Sequence, residues 1–417
     1  MKVSTQWLNE INPNWDIAIP KSIFSERSTR SLPGDIHLTP SQIYGVLPQS
    51  EYMEKSGTGI VLNLVGSDNM KHVEVNDFII HLRSFQGGIE HSPFDGKVSN
   101  AYCVLQPKAG IEPGFFRWVL KSNGYIQELN STTNQLRDGQ SIKFEQFASI
   151  GLPKPPIDEQ RKIADFLDLQ VNSIDEVIRL KLELISQYNK LIESKIHELV
   201  TGFCKSLVTS TGLEWIPLIP ESWKKRPLRE LFSWNKGKDP ARLDVIYCSE
   251  NPGEYPVFSG QTSNGGVFAS IDTYDFDSLG DCALISTVGA LAGSMRVISG
   301  KFSLSQNCAI IFPRSEEANV KYLNYLWPSV WSVLKSKIPS DMQPSVRLSD
   351  LAETWICTPP LAEQNIIVQE IETETKQLRI LIQTTEDLVR YLSEYKASLI
   401  TSTVTGIFNP TTRKSVA

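Results

Sequence analysis

The stretch PPIDEQ at residues 155–160 recurs as PPLAEQ at residues 359–364, 204 residues further along the chain. The same spacing separates the two copies of VTG, at residues 200–202 and 404–406. A long segment therefore occurs twice without a gap. Because such a repeat marks two copies of one structural unit, these two segments form the frame from which the rest of the fold is predicted.

The repeated segment has the sequence pattern of one long helix, because its apolar residues recur every three or four positions. Two prolines precede it, Asp158 and Glu159 occupy the positive N-terminal end, and Gly202 follows the last turn. The pattern predicts helices over residues 158–201 and 362–405, each roughly 65 Å long at 1.5 Å per residue. The apolar positions of the first copy are Ile163, Leu167, Val171, Ile174, Ile178, Leu182, Ile185, Tyr188, Ile192, Ile196 and Leu199.

The second copy carries a less regular apolar stripe, which Thr375 and Glu386 interrupt. A long helix with one apolar stripe needs a surface that covers the stripe. Since the two copies match in length, we expect them to pair as an antiparallel coiled coil with pseudo-two-fold symmetry. The alternative is that each helix packs only on its own globular region.

A second repeat lies ahead of each helix, where Trp7 and Trp15 have the same spacing as Trp215 and Trp223. The chain is therefore predicted to be an α+β protein, with two mixed α/β globular regions in tandem and a long helix after each. The expected segments are a first domain at 1–154, a first helix at 155–202, a second domain at 203–358, a second helix at 359–406 and a flexible tail at 407–417.

The composition is that of a globular protein, with 41% hydrophobic and 21% charged residues among 417. A net charge of −6 argues against a polycation that coats nucleic acid, although it leaves room for a local basic face. No apolar run approaches the roughly 20 residues of a membrane-spanning helix. Six scattered cysteines fit a reducing compartment, so we expect a soluble cytoplasmic protein without a membrane partner.

The residue patterns of common catalytic sites are missing from the sequence. It contains no GxxxxGK[ST] phosphate loop, no GxSxG nucleophile turn and no CxxC pair. The histidines lack metal-ligand spacing, and Cys103 with His81 or His91 would form a nucleophile and base without a third orienting group. We therefore predict that the chain is not an enzyme, and that it holds no cofactor or metal of its own.

Five stretches resemble the specificity subunit of type I restriction-modification systems. The most specific are LPKPPIDEQ at residues 152–160 and its shorter partner at residues 359–364. EWIP followed by IPESW, within residues 214–223, resembles the usual start of a target-recognition domain. YGV at residues 44–46 and LRSFQGG at residues 82–88 resemble one class of first domain. The likeness covers nearly the whole chain, with the motifs in matching order.

The resemblance implies a division of labour among subunits. Each globular domain would read one half-site of a bipartite double-stranded DNA target, and the helices would fix the unread gap. Two methyltransferase subunits would dock on this chain and bring S-adenosylmethionine for adenine-N6 methylation, and restriction subunits would bring ATP and Mg for translocation and cleavage. The alternatives are a specificity module of another restriction-methylation system, or a tandem-domain protein scaffold without DNA reading.

Base reading needs side chains with hydrogen-bond donors or acceptors on loops that can enter a DNA groove. Polar turns of this kind occur in both domains, and a basic stretch opens the second domain. The candidates in the first domain are Arg83, Ser84, Gln86, Thr132, Thr133, Asn134, Gln135 and Arg137. The candidates in the second domain are Lys236, Lys238, Ser259, Gln261, Thr262, Thr287, Gln306, Asn307, Gln343 and Arg347.

Overall fold

The structure is a computed structural model that describes residues 3–57, 69–81, 84, 88–132, 142–202, 208–260, 263–339 and 342–410. The chain forms two compact units. The first unit comprises Met1–Leu182 and Glu386–Ala417, and the second comprises Glu183–Thr385. Each unit therefore holds one globular region together with parts of both long helices. The segment boundaries predicted above remain a prediction, because these units divide the chain differently.

Short antiparallel strands make up most of the β-structure of both units. The strands of the first unit are β1 (Asp16–Ala18), β2 (Phe24–Glu26), β3 (Leu38–Ser41), β4 (Gly45–Pro48), β5 (Lys71–Val73), β6 (Phe78–Ile80), β7 (Glu90–His91), β8 (Gly96–Val98), β9 (Cys103–Pro107) and β10 (Leu152–Lys154). Four of them form a sheet in the order β2-β9-β6-β7, beside the pairs β1–β10, β3–β4 and β5–β8.

The second unit builds a larger sheet from longer strands. Its strands are β11 (Val208–Leu213), β12 (Ile216–Pro220), β13 (Lys224–Pro227), β14 (Phe232–Asn235), β15 (Pro252–Phe258), β16 (Val267–Ile271), β17 (Phe276–Ser286), β18 (Met295–Leu304), β19 (Cys308–Pro313) and β20 (Trp355–Thr358). Six of them are ordered β14-β19-β17-β18-β15-β16, beside the pairs β11–β12 and β13–β20. The two units thus share the mixed α/β class but not the same sheet.

The helices of the described residues include two that are far longer than the rest. In chain order they are α1 (Pro20–Ile23), α2 (Gln49–Ser56), α3 (Pro113–Val119), α4 (Asn123–Ser131), α5 (Phe144–Phe147), α6 (Ile157–Thr201), α7 (Leu228–Leu231), α8 (Val245–Glu250), α9 (Val320–Ser336), α10 (Leu348–Glu353) and α11 (Leu361–Val404). Both α6 and α11 start and end within one residue of the prediction. Among the residues that the structure describes, no helix has the length and apolar character needed to cross a membrane.

The core of the first unit is built around one aromatic ring. Phe24 of β2 meets Phe78 of β6 with ring centroids 5.6 Å apart, and it meets Phe116 of α3 and Phe147 of α5 at 5.5 Å. All three pairs are edge-to-face, the geometry that aromatic rings favour. A single ring therefore ties two strands of the sheet to two helices.

Within the first unit, the start of α6 and the end of α11 lie against each other. The Lys396 ammonium is 2.6 Å from the Asp175 carboxylate, and the Phe166 and Phe408 rings are 5.7 Å apart. Residue numbers rise along one helix as they fall along the other, so the predicted antiparallel pairing is confirmed. The ordered chain also continues into the segment predicted as a flexible tail, because Phe408 packs on α6 and Asn409 donates to the Glu159 carboxylate.

Within the second unit, the other ends of the same helices share a core. The Lys195 ammonium lies 2.6 Å from the Glu374 carboxylate, and Val200 belongs to the same buried cluster as Ile371. Thr375, which interrupts the apolar stripe, is buried, and its hydroxyl donates to the Ile371 carbonyl at 2.7 Å. Each long helix thus contacts both a globular core and the other helix, and the alternative that each packs only on its own region is wrong.

Candidate nucleic-acid interface

Three segments of the second unit meet at one place. The Thr287 N–H, in the loop after β17, donates to the Asn307 carbonyl, in the loop before β19, at 2.9 Å. The Thr287 carbonyl accepts from the Val346 N–H at 2.8 Å, just ahead of α10. A further bond, from the Gly289 N–H to the Pro344 carbonyl at 3.2 Å, closes the same contact. Backbone hydrogen bonds therefore hold loops together that are far apart in sequence.

The loop that follows β15 joins these segments. The Ser259 N–H donates to the Gly266 carbonyl at 3.0 Å, and the Ser259 carbonyl accepts from Arg296 Nη2 at 2.9 Å. At Gly260 a side chain is excluded, because a Cβ atom there would come within 2.5 Å of Ser286 Oγ. We name residues 259–260, 287–293, 305–307 and 342–346 the loop cluster. The cluster brings together five of the predicted contacts, namely Ser259, Thr287, Gln306, Asn307 and Gln343.

The side chains of the loop cluster differ in what they present to a ligand. Gln306, Asn307 and Gln343 are exposed, and each amide offers both a donor and an acceptor. This is the combination that reads adenine from the major groove. Thr287 is only 1% exposed, and its hydroxyl has no hydrogen-bond partner among the described residues. Thr287 therefore lies behind the surface that the amides form.

A cavity of about 380 Å³ lies beside the loop cluster. Its walls combine apolar side chains with a few polar groups, the usual composition of a site that orients its ligand. Gln306 and Asn307 supply amide groups to the lining of this cavity, beside apolar side chains such as Phe268. The lining residues are Pro240, Ala241, Leu243, Asp244, Val245, Ser259, Gly260, Phe268, Val288, Ser305, Gln306 and Asn307.

Positive charge lies close to the loop cluster. Burial lowers the pKa of the Arg296 guanidinium, which nevertheless stays charged at neutral pH. Burial also raises the pKa of the Cys308 thiol to about 11, and the nearby Arg296 and Lys236 charges oppose that rise. Both cations suit attraction to DNA phosphates. Arg296 was missed by the sequence analysis, because a lone arginine within a β pattern gives no signal.

The remaining candidates of the second unit lie around the cluster or outside the described residues. Lys238 is exposed, and its backbone N–H donates to the Asp275 carboxylate at 3.3 Å. Arg347 is exposed at the start of α10, where its N–H donates to the Asp350 carboxylate at 3.3 Å. Outside the described residues lie Gln261 and Thr262.

The candidates of the first unit are mostly beyond the described residues. Ser84 is fully buried, and its hydroxyl accepts from the His81 N–H at 2.9 Å, so it stabilises a turn instead of facing a ligand. Thr132 is half-buried at the end of α4, and its hydroxyl donates to the Leu129 carbonyl at 2.7 Å. Outside the described residues lie Arg83, Gln86, Thr133, Asn134, Gln135 and Arg137.

Backbone pairing in the first unit also brings residues with basic side chains near the β5–β8 ribbon. Isolated bridges join Arg30 to Lys71 and His37 to Lys97, beside the β5–β8 ribbon. Burial and the Lys97 charge both lower the pKa of His37. Lys71 also lies 3.3 Å from the Glu26 carboxylate, which balances part of this charge. The sequence gives no signal for this grouping, because the four residues are scattered between positions 30 and 97.

The described cysteines have the chemistry of core residues. Burial raises the pKa of the Cys103 and Cys357 thiols to about 12, and that of the Cys282 thiol to about 11. Because the thiolate is the nucleophile, these thiols are unreactive at neutral pH. Burial also lowers the pKa of His91, one of the two histidines considered above as a base for Cys103, to about 4. Over the described ranges, no group of three or more His, Cys, Asp or Glu residues is arranged to hold a metal ion.

Each unit combines a mixed α/β globular region with parts of two long helices, and sequence similarity identifies the family of the chain. The family described as the type I restriction modification DNA specificity domain matches this chain twice, over residues 39–186 and 220–389. These two matches cover most of the chain and fall on successive halves of it. The chain therefore belongs to this family.

Individual relatives agree with the family match. A putative type I specificity subunit of Mycoplasma pneumoniae is 39% identical over 84 residues, which are 20% of this chain and 26% of that protein. Another from the same species is 27% identical over 225 residues, 53% of this chain and 79% of the relative. A structure solved in work on assembly and conformational transition of the type I R-M system matches at TM-score 0.66 and 17% identity, covering 96% of this chain and 100% of the other. The structural likeness establishes the fold alone.

Proposed function

We propose that this chain is the DNA-recognition subunit of a type I restriction-modification complex, and that it reads a bipartite double-stranded target with one half-site per globular region. The observation that carries the proposal is the double occurrence of one specificity domain, each copy made of a globular region and a long helix. Two reading domains on one chain need two half-sites, and the helices between them leave a stretch of DNA unread.

The loop cluster supports a reading role for the second region. Gln306, Asn307 and Gln343 are exposed side by side on loops fixed by backbone hydrogen bonds. Amide side chains on rigid loops can make the paired hydrogen bonds that distinguish bases, each worth about 1–3 kcal/mol of discrimination. Arg296 and Lys236 would position the phosphate backbone beside them. Partner subunits would supply much of the remaining attraction, since the chain itself carries a net charge of −6.

In this proposal the chain is not an enzyme, and its partners bring the chemistry. Two methyltransferase subunits would carry S-adenosylmethionine, and restriction subunits would carry ATP and Mg. Support comes from the paired helices of the first unit, where Leu169, Leu180, Tyr391 and Tyr395 are 65%, 49%, 59% and 56% exposed. In this proposal these exposed leucine and tyrosine side chains offer apolar surface that a partner subunit covers. These side chains are the expected docking surface.

The test is long-read detection of N6-methyladenine in plasmid DNA from cells that express this chain with its neighbouring methyltransferase. Cells with the methyltransferase alone are the control. Modification at one split sequence, present only with this chain, is the expected result and would give both half-sites. Absence of new modification, with the two proteins shown to be folded and associated, would favour a protein scaffold or an inactive methyltransferase, and a direct DNA-binding assay would separate these two outcomes.

A further inference from the structure

In the first unit, one glutamine joins the globular region to its long helix. Gln160 is 1% exposed in the first turn of α6. Its amide oxygen accepts from the Glu112 N–H at 2.9 Å, at the start of α3. Its amide nitrogen donates to the Pro155 carbonyl at 2.7 Å, just ahead of α6. One side chain therefore fixes the start of α3 and the first turn of the long helix to each other.

The second unit contains the same connection between its globular region and its long helix, and we call each such connection a joint. Gln364 is 2% exposed, and its amide oxygen accepts from the Asn319 N–H at 3.0 Å, at the start of α9. Its amide nitrogen donates to the Pro359 carbonyl and to the Glu317 carbonyl, both at 2.9 Å. Both bonds of Gln160 thus recur at Gln364, which adds the bond to the Glu317 carbonyl, although the sheets that these helices support differ.

A neighbouring bond strengthens each joint. The Trp15 indole N–H donates to the Glu159 carboxylate at 3.1 Å, and the Trp223 indole N–H donates to the Glu363 carboxylate at 3.0 Å. Both indoles are buried, at 6% and 4% exposure. Each glutamate directly precedes the glutamine of its joint. The start of each globular region is thus held to the same helical turn.

Discrimination between gap lengths places a geometric demand on these joints. One extra base pair moves a half-site by about 3.4 Å along the DNA and rotates it by about 35°, because B-DNA repeats every 10–10.5 base pairs. A recognition domain that could swing by that amount on its helix would accept both gaps. The attachment of each domain must therefore be held more tightly than this step.

Building on the proposed function, we infer that Gln160 and Gln364 are positioning residues that fix each recognition domain on its helix and so confine recognition to one gap length. Neither amide needs to touch DNA. Loss of the amide removes the bond between two helices but leaves every base-reading side chain in place. The bases of each half-site should therefore stay the same while the gap between them becomes less strictly defined.

The experiment uses the full chain with its methyltransferase partner and a plasmid library in which the gap between the two half-sites varies one base pair at a time. Gln160→Ala and Gln364→Ala are compared with Gln187→Ala and Gln377→Ala, which alter exposed glutamines on the same two helices. Methylation of each gap length is counted by sequencing. For Gln160→Ala and Gln364→Ala, the ratio of cognate-gap to adjacent-gap methylation should fall at least tenfold, with unchanged half-site bases. The two controls should keep the wild-type ratio.

A second variant separates positioning from stability. Gln160→Met fills a similar volume without the amide, so it should relax the gap even if Gln160→Ala is poorly folded. A folded variant that keeps the wild-type ratio, whatever its melting temperature, overturns the inference. Loss of folding in both variants also overturns it, because the amide would then serve the fold itself. Failure of the wild-type chain to direct methylation to any split site would instead contradict the proposed function.

Discussion

The first globular region pairs four short strands around Phe24, whereas the second builds a six-stranded sheet and anchors Trp327, whose indole donates to the Gly293 carbonyl at 2.8 Å. Across this difference, the joints to the long helices share two equivalent hydrogen bonds, made by Gln160 in one unit and by Gln364 in the other. The chain thus keeps constant how each region is attached and varies what each region exposes. A protein that reads two unlike half-sites at one fixed separation needs both properties.

The largest expected effect is at the buried tryptophan of each joint, Trp15 in the first unit and Trp223 in the second. Trp15→Ala and Trp223→Ala should each lower the free energy of unfolding by about 3–5 kcal/mol, because each removes a buried ring and leaves a cavity. Denaturant unfolding measures the loss of stability. Hydrogen exchange then shows whether the loss is confined to the unit that contains the substitution. Trp355→Ala is the control, since that ring is 44% exposed. An effect of Trp355→Ala as large as the other two would contradict ring burial as the cause, and clearly unequal effects of Trp15→Ala and Trp223→Ala would contradict the equivalence of the joints.

The next effect concerns what differs between the regions. Replacing Gln306, Asn307 and Gln343 together by alanine should reduce methylation of the split target about a hundredfold, because about 1–3 kcal/mol of discrimination is lost per paired contact. Methylome sequencing should show a relaxed base preference in one half-site. The base preference in the other half-site should stay unchanged. Exposed Lys335 and Ser336, changed together to alanine, serve as the matched control. A change in both half-sites would show that the loop cluster does not read DNA independently.

A smaller effect is expected at the glycines beyond the long helices. Gly202 and Gly406 have φ of 65° and 75°, and a Cβ at either position would come within 3.1 Å or less of a tryptophan ring. Alanine at either site should cost about 1–3 kcal/mol of stability, from the left-handed backbone and the crowded ring. Thermal unfolding of both variants, with Gly110→Ala as a control that lacks neighbours, checks the prediction. Equal losses in all three would remove the ring contact as a cause.

The smallest effect is expected for the ion pairs between the helices. The pairs Lys396–Asp175 and Lys195–Glu374 are partly exposed, so each should contribute less than about 1 kcal/mol and weaken as salt is added. A double-mutant cycle on each pair, at low and high salt, measures this contribution. A coupling free energy that does not change with salt would contradict the prediction that these ion pairs are exposed to solvent.

The sequence predicted the long helices well because their signals are local. The apolar period, the paired prolines and the terminal glycines all lie within the helices or directly beside them. It could not reveal the role of Gln160, whose partner Glu112 lies 48 positions away and becomes a neighbour only in the folded unit. Thr375 interrupts the apolar stripe in the sequence, but in the structure it is buried, and its hydroxyl donates to the Ile371 carbonyl of its own helix.

The candidate site shows the same limit. Among the predicted DNA contacts, Gln306, Asn307 and Gln343 are exposed, whereas Ser84 and Thr287 are buried. A short polar side chain in a turn can equally face a ligand or satisfy the turn itself, as Ser84 does with the His81 N–H. Local pattern cannot separate these two uses, because burial is decided by segments from elsewhere in the chain.

The buried cysteines offer a built-in way to watch each half of the molecule open. Cys103 is the described thiol of the first unit, while Cys248, Cys282, Cys308 and Cys357 belong to the second, and all five are shielded from solvent. An alkylating label reaches a shielded thiol only during a transient opening, so labelling times these openings. Mass spectrometry of labelled peptides would therefore record the breathing of the two units separately, in the same sample and without any introduced probe.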